Sequence, residues 1–293
     1  MFGLDPGLAM AVLSALVLGV YLFVVKRYFA DYPATVYVAL SYAFALLWYL
    51  PVGATRIDGG LLPTGFGTTG VAVLLVVLGG TVVGVLTVFR ALATGDVSYV
   101  APISKLVPVF VLPLELLLLD EHLAPLQLAG VATATAAVYV ANYEPGHLLD
   151  PFRQAARSRP AQLALVSAAA FGVVDTGKRT LVQELAMAPA AFVLVLFVTL
   201  PVALAPLAAR NWPGDVRRDL PMFALTGLLL AVANHATMLS FSALPASLAS
   251  PVVNTQAVVA VVLGGVLLDE DAFRVRLVAA ALAVLGVALI TIG

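Results

Sequence analysis

The chain alternates long apolar stretches with short polar interruptions. Charged residues, glycines and prolines interrupt it about every 30 residues, and each apolar run is close to the ~20 residues that cross a bilayer as a helix. Backbone groups in lipid have no water to bond, and the short alternating strands of a membrane barrel are absent from the sequence, so these runs must be helices. The pattern predicts about ten spans, at residues 8–25, 35–52, 70–89, 100–119, 126–143, 162–181, 189–208, 222–241, 247–268 and 274–292.

One stretch of sequence occurs twice. Residues 101–121 read APISKLVPVFVLPLELLLLDE, and residues 250–270 read SPVVNTQAVVAVVLGGVLLDE. An offset of 149 residues (251 − 102) aligns Pro251 with Pro102 and also aligns the Asp-Glu pairs that end the two stretches. Acids and prolines are scarce in this chain, so the match indicates that one membrane unit has been duplicated.

The duplication predicts the domain organisation. About five spans in each copy is an odd number, so the second copy enters the membrane upside down relative to the first. We therefore predict an all-α membrane protein of about ten transmembrane helices, arranged as two inverted five-helix repeats over residues 1–145 and 161–293. Residues 146–160, with proline at helix-breaking positions, form the predicted connecting loop.

Composition supports a membrane class and excludes several functions. The chain is 62% hydrophobic and only 11% charged, which is more apolar surface than a soluble core of this size can bury. Zero cysteines exclude disulfides and thiol chemistry, and a net charge of −1 gives no reason to expect a nucleic-acid partner. Three histidines without HExxH-type spacing offer no catalytic set or metal site. We expect neither an enzyme nor a cofactor.

Basic residues predict an orientation. Eleven lysines and arginines follow odd-numbered spans and three follow even-numbered spans. By the positive-inside rule the odd-numbered loops are cytoplasmic, which leaves both termini outside.

Lys105 is the first candidate for a substrate site. A charged group at the bilayer centre costs at least ~2.5–3.5 kcal/mol, so such residues usually face a pathway or a partner. Lys105 lies between Pro102 and Pro108, and Pro113 follows; these prolines bend the fourth helix and free backbone carbonyls. A broken helix that carries a buried amine indicates a site for an anionic or zwitterionic substrate. The alternative is that Lys105 extends to the lipid headgroups.

Amides and a histidine provide further candidates. Asn254 is equivalent to Lys105 at the 149-residue offset, and Gln256 follows it by two residues. If the repeats pack about a pseudo-twofold axis, these side chains approach one cavity; the alternative is that they hydrogen-bond between helices. Asn234 and His235 lie near the middle of the eighth span, where histidine either responds to a proton gradient or bonds a neighbouring helix.

The remaining candidates have simpler alternatives. Asp175 stands three residues before Lys178, the spacing of a helical ion pair, which favours local neutralisation over a binding role. Tyr21 and Tyr99 either line a cavity or belong to the interfacial aromatic belts. Glu115 is expected near the membrane surface, with a proton-carrying carboxylate as the alternative.

Taken together, these features resemble a known family. They are the duplicated five-helix unit, a proline that opens each fourth helix, an acidic pair that closes it, and a glycine in each fifth helix (Pro102, Pro251, Asp120-Glu121, Asp269-Glu270, Gly130 and Gly286). Over nearly its whole length the chain resembles the ten-helix EamA-type members of the drug/metabolite transporter superfamily.

The resemblance implies a secondary transporter of the cell membrane. Such members move amino acids or related small polar metabolites, often outward, through a cavity between the halves, while relatives carry sugars, nucleotide-sugars or triose phosphates. The expected partners are a small-molecule substrate, the lipid bilayer and a coupling proton or ion, with the chain as a monomer or homodimer. Family usage places both termini in the cytoplasm, opposite to the charge count. A channel, a receptor or an intramembrane enzyme would leave the inverted duplication unexplained.

Overall fold

The computed structural model describes residues 5–57, 60–95, 100, 103–141, 158–267 and 273–293. All secondary structure in these residues is helical. A π turn at Thr180–Glu184 extends α6, and a 3-10 turn at Arg217–Asp219 precedes α8. The α-helices of eight or more residues are α1 Pro6–Tyr28, α2 Ala34–Arg56, α3 Gly67–Thr94, α4 Val107–Leu118, α5 Pro125–Ala141, α6 Arg159–Arg179, α7 Pro189–Arg210, α8 Leu220–Ala243, α9 Ala246–Asn254, α10 Gln256–Leu267 and α11 Phe273–Ile292.

Local sequence determines where several helices begin. The Asp5 side chain accepts hydrogen bonds from the backbone N–H groups of Gly7 and Leu8 at 2.8 and 3.1 Å, and so caps α1. Ser158 caps α6 in the same way. As a result α6 begins at Arg159, inside the predicted connecting loop, most of which lies outside the described residues.

The helices form a surface suited to lipid. Six helical segments of the described chain are long and apolar enough to cross a membrane, with α9 and α10 counted as one; α4, α5 and α11 are shorter but also apolar. Large apolar side chains are exposed on most of the helices, where lipid would cover them. Examples are Leu75, Leu117, Val202 and Val284.

The helices of the two halves pack in reciprocal pairs. α1 packs against α8, and its counterpart α6 packs against α3, the counterpart of α8. Likewise α1 contacts α10 while α6 contacts α4. The second helices, α2 and α7, pack together, and so do the last helices, α5 and α11. Exchanging the halves maps these pairs onto one another or onto themselves, as a pseudo-twofold axis requires. The predicted inverted-repeat architecture is confirmed.

One pair departs from this reciprocity. α2 packs closely against α8, whereas the equivalent pair, α7 and α3, makes only slight contact. Polar contacts that join α2 to α8 include Ser41 to Thr226, Trp48 to the Ala224 carbonyl, and Tyr49 to His235. The two halves therefore share a fold but differ in how tightly equivalent helices meet.

Both fourth spans are interrupted at equivalent positions. In the first repeat Leu106 donates to the Ile103 carbonyl at 3.1 Å, and α4 starts at the next residue. In the second repeat Thr255 donates to the Val252 carbonyl at 3.1 Å, and α10 starts at the next residue. These residues differ by the same 149 positions (255 − 106) that align the sequences. The predicted break of the fourth helix is thus present twice.

The causes of the two interruptions differ. Pro108, at the second position of α4, lacks a backbone N–H and removes a helical hydrogen bond. The second repeat has alanine at the equivalent position, and side chains donate to backbone carbonyls beside its interruption. The Thr255 hydroxyl donates to the Val252 carbonyl at 2.6 Å, and the Asn254 amide donates to the Ser250 carbonyl at 2.9 Å.

Glycines allow α5 and α11 to approach closely. A Cβ atom added to Gly286 would lie 2.6 Å from the Ala134 backbone nitrogen, and one added to Gly130 would lie 2.8 Å from the Ile290 backbone nitrogen. Neither helix could keep its position with a side chain there. The glycines that carry the resemblance therefore serve helix packing.

Gly286→Ala is expected to lower the melting temperature of the detergent-purified protein. The added methyl group meets backbone, which cannot rotate away, and overpacking of this kind costs roughly 1–3 kcal/mol. Gly79→Ala in α3 is the matched control, since its Cβ meets nothing within 4 Å. Equal melting temperatures for the two variants would contradict the close approach of α5 and α11.

Candidate functional site

A polar cavity of about 280 Å³ lies between the two repeats. The first repeat contributes α1, α2, α3 and the interruption before α4, and the second contributes α6, α8, α9 and the start of α10. The volume is near the lower end of the range for small-molecule sites, about 300–1,000 Å³. Its polar lining side chains are Tyr21, Tyr37, Tyr42, Ser104, Lys105, Ser167, Asp175, Lys178, Asn234, Thr237, Asn254 and Gln256.

Most of the residues predicted from sequence meet at this cavity. Six of them line it, from five helices and the interruption before α4: Tyr21, Lys105, Asp175, Asn234, Asn254 and Gln256. Tyr99 lies outside the described residues. His235 lies outside the described lining and faces α2 instead. The roles assigned to these side chains in binding or coupling remain predictions.

Asp175 is held by two side chains, Lys178 on the same helix and Ser250 on α9. Lys178 donates to one carboxylate oxygen at 3.1 Å, and the Ser250 hydroxyl donates to the other at 2.7 Å. The Asn254 amide in turn donates to the Ser250 hydroxyl at 3.3 Å. The predicted helical ion pair between Asp175 and Lys178 is therefore present, and it also faces the cavity.

Lys105 has a different setting. It lies in the interruption before α4 rather than inside a helix, and its side chain lines the cavity. Within the described chain no carboxylate lies within 4 Å of its ammonium group, whereas Lys178 has Asp175. The equivalent residue in the second repeat, Asn254, is neutral. The cavity therefore holds an amine whose charge the described side chains do not neutralise directly.

A buried ion-pair cluster closes one end of the bundle. Arg179, which is 7% exposed, lies 3.1 Å from Glu121, 3.6 Å from Glu115 and 3.6 Å from Glu184. The Glu115 carboxylate also accepts hydrogen bonds from the first two backbone N–H groups of α9, those of Ala246 and Ser247, both at 2.7 Å. The cluster joins the ends of α4 and α6 to the start of α9.

Glu115 lies with Glu121 at this end of the bundle, but its carboxylate is not solvated. Its side chain is only 1% exposed. The acidic residues that follow it in sequence suggested a solvated helix end, but Arg179 and the N-terminus of α9 cover the carboxylate and supply its hydrogen bonds. The interaction is between segments far apart in the chain.

At the opposite end of the bundle a hydrogen bond joins the two repeats. Tyr32, between α1 and α2, donates a hydrogen bond to Asp219, which precedes α8. Burial and this bond raise the pKa of Tyr32 to about 12, so the hydroxyl stays protonated and able to donate at neutral pH. Phe29 and Phe223 pack beside it with ring centroids 4.4 Å apart.

Comparison with known proteins now identifies the architecture. The profile of the EamA-like transporter family matches residues 5–143 and 159–292, which is one copy in each repeat. The chain belongs to the EamA-like transporter family. A solved crystal structure with a TM-score of 0.80 covers 99% of each chain at 15% identity, so it is similar in fold. No curated protein matches the sequence.

Membership in the EamA-like family establishes the general class. The chain is an integral membrane protein and a transporter of the drug/metabolite type, as the sequence resemblance implied. The family is a transporter family and not an enzymatic one, in agreement with the absence of a catalytic motif from the sequence. Within this family, a polar cavity between the repeats is the natural place to look for bound solute.

His235 belongs to the contact between α2 and α8. Its Nδ1 atom lies 2.6 Å from the Tyr49 hydroxyl, and Tyr49 is almost fully buried against Phe197. This is the interhelical hydrogen bond that the sequence allowed as the simpler role. A part in proton coupling stays a prediction, and it would act through this contact.

A double-mutant cycle tests the contact. Tyr49→Phe and His235→Phe each remove one partner, so each is expected to lower stability. The double variant should lose less stability than the sum of the two single losses. We expect the difference, which is the coupling energy, to be about 0.6–1.7 kcal/mol, as for hydrogen bonds between membrane helices. Unfolding of the purified variants provides the measurement, and strictly additive losses would contradict the bond.

Several lining residues were not singled out from the sequence. Tyr37 and Tyr42 on α2 and Lys178 on α6 all face the cavity. Tyr42 lies well inside α2 rather than at its end, which distinguishes it from a residue of the interfacial belts. Lys178 was recognised only as the partner of Asp175. The position of Tyr42 deep within a span was the feature of the sequence that could have indicated its place in the cavity.

Proposed function

We propose that this chain is a secondary-active transporter that exports a small polar metabolite, amino acid-like or related, by alternating access around the cavity between its repeats. The main support for this proposal is that side chains from both inverted halves, including six predicted from sequence, line one polar cavity. Solute held there contacts both halves and can be released when they move relative to each other.

The unequal helix pairs support alternating access. α2 and α8 are closely packed while the equivalent α7 and α3 make slight contact. Two inverted repeats that exchange these arrangements would give a second state, in which α3 and α7 pack and α2 separates from α8. Such an exchange would expose the same cavity to the opposite side of the membrane.

Energy for transport would come from a proton or ion gradient. The sequence has no nucleotide-binding signature that would support ATP-driven pumping. His235 is the coupling group we propose, because an imidazole can take up and release a proton and its bond to Tyr49 must break when α2 leaves α8. The cell membrane is the proposed location, and a monomer contains both halves of the site.

A ligand screen tests the proposal. The protein purified in detergent is heated with amino acids, sugars, phosphorylated metabolites and amines, because a ligand that binds only the folded form raises the melting temperature. Each compound that does so is then offered to liposomes containing the protein. We expect saturable, gradient-dependent uptake of at least one such compound. Failure of every class to raise the melting temperature or to enter the liposomes would overturn the proposal.

A further inference from the structure

The charges around the cavity are unbalanced. Among its described lining residues there are two amines, Lys105 and Lys178, and one carboxylate, Asp175. Because a charge placed in a membrane interior without a partner is costly, each group needs a counter-charge, a hydrogen-bonded network or water. The pairing of these three charges therefore indicates which of them still needs a counter-charge.

Asp175 already has its partners. One oxygen accepts from Lys178 at 3.1 Å and the other from Ser250 at 2.7 Å. The side chains of Asp175 and Lys178 are only 12% and 15% exposed, so little of either remains open to solute. The Lys178 ammonium is only 3.1 Å from the Asp175 carboxylate, so a second ammonium group that approached Asp175 would be repelled by Lys178. The cavity therefore offers a poor site for the amine of a zwitterion or a cation.

Lys105 lacks such a partner. No carboxylate of the described chain lies within 4 Å of it, and its neutral counterpart Asn254 bonds Ser250 rather than an acid. Lys105 is also at the interruption of the fourth span, next to Val107, the first residue of α4, which lines the cavity as well. The start of a helix carries partial positive charge, and this adds to the positive potential there.

We infer that the substrate is an organic monoanion whose carboxylate binds Lys105, and that Lys178 keeps Asp175 from recognising an amine. This rests on the proposed transport through the cavity and narrows its substrate class. The described lining carries one excess positive charge, which one carboxylate neutralises. A phosphate monoester carries about −1.5 to −2 at neutral pH and would leave excess negative charge. Tyr21, Tyr37 and Tyr42 provide aromatic surface for the uncharged part of the molecule.

Four compounds that share a branched five-carbon unit test the inference. They are 4-methyl-2-oxopentanoate, leucine, 3-methylbutylamine and 3-methylbutyl phosphate, which present a monoanion, a zwitterion, a cation and a dianion. Binding is measured as the change in melting temperature with ligand concentration, and transport is measured in liposomes. We expect the oxo acid to bind and enter at least tenfold better than the other three.

Variants of the two lysines separate binding from folding. Lys105→Gln should weaken oxo-acid binding at least tenfold, and Lys105→Arg, which keeps the charge, should retain most of it. Lys178→Gln should act in the opposite sense, because it releases Asp175 and shifts preference toward leucine and the amine. A merely structural role for Lys105 would change the melting temperature without ligand but not the order of preference.

The outcomes distinguish the two proposals. The monoanion inference would be overturned if the protein preferred leucine, the amine or the phosphate. It would also be overturned if Lys105→Gln left the order of preference unchanged. Either result would leave the proposed transport function intact. If none of these compounds binds or is taken up, and the broader screen also fails, the proposed function is overturned. Tenfold preference for the oxo acid that disappears in Lys105→Gln and returns in Lys105→Arg is the result we expect.

Discussion

Oxidation of the double variant Ser41→Cys/Thr226→Cys is expected to abolish transport in liposomes. The two hydroxyl oxygens are 2.9 Å apart, between α2 and α8, and both side chains are fully buried. Cysteines at these positions are close enough for a disulfide. If α2 must leave α8 during each cycle, a covalent bond between them holds the protein in one state. The chain has no other cysteine with which they could pair.

Reduction provides the control for this variant. Addition of a reductant to the same liposomes should restore uptake to the level of the reduced double variant. Each single variant, Ser41→Cys and Thr226→Cys, should be insensitive to the oxidant. Unchanged uptake after complete oxidation, confirmed by mass spectrometry, would mean that α2 and α8 stay together throughout transport.

Glu115→Ala is expected to lower the free energy of unfolding by about 3–5 kcal/mol, the cost of breaking a buried ion pair on one side. The variant removes a partner of Arg179 and the acceptor for the N–H groups of Ala246 and Ser247. All of these groups are shielded from water, which cannot replace the carboxylate. Reversible unfolding in mixed detergent micelles measures the loss.

Glu184→Ala is the matched control. Glu184 is the same residue type at the same 3.6 Å from the same arginine, but its side chain is 52% exposed against 1% for Glu115. An exposed ion pair contributes only about 0–1 kcal/mol, so this variant should be close to the parent in stability. Similar losses for the two variants would show that burial does not determine the strength of the cluster.

Much of the fold could be predicted from the sequence because lipid leaves so few alternatives. Apolar runs of spanning length must be helices, and the repeated segment 101–121 and 250–270 established the inverted halves. The exact positions at which the fourth spans are interrupted were harder to predict. The interruption after Asn254 has no proline at its centre, and the Asn254 and Thr255 side chains donate to backbone carbonyls beside it, which sequence pattern does not reveal.

The candidate site was predictable only in part, and the reason is similar. Lys105, Asn254 and Gln256 were found because they are polar inside apolar spans and related by the repeat. The burial of Glu115 could not be predicted because its environment is made by Arg179 and α9, which are distant in sequence. His235 lies within α8, the eighth predicted span, but its direction toward Tyr49 depends on the packing of α2 against α8.

The central claim is that one cavity is reached in turn from each side of the membrane, and Asn234→Cys tests it most directly. Asn234 lines the cavity from the middle of α8, and the parent chain contains no cysteine. A membrane-impermeant thiol reagent is applied to either side of oriented vesicles, with Val232→Cys, on the exposed surface of the same helix, as the control. A thiol in lipid stays protonated and unreactive. We predict labelling of Asn234→Cys from both sides, slowed by a transported ligand, and none of Val232→Cys. Labelling of Asn234→Cys from one side only, or from neither, would contradict alternating access through this cavity.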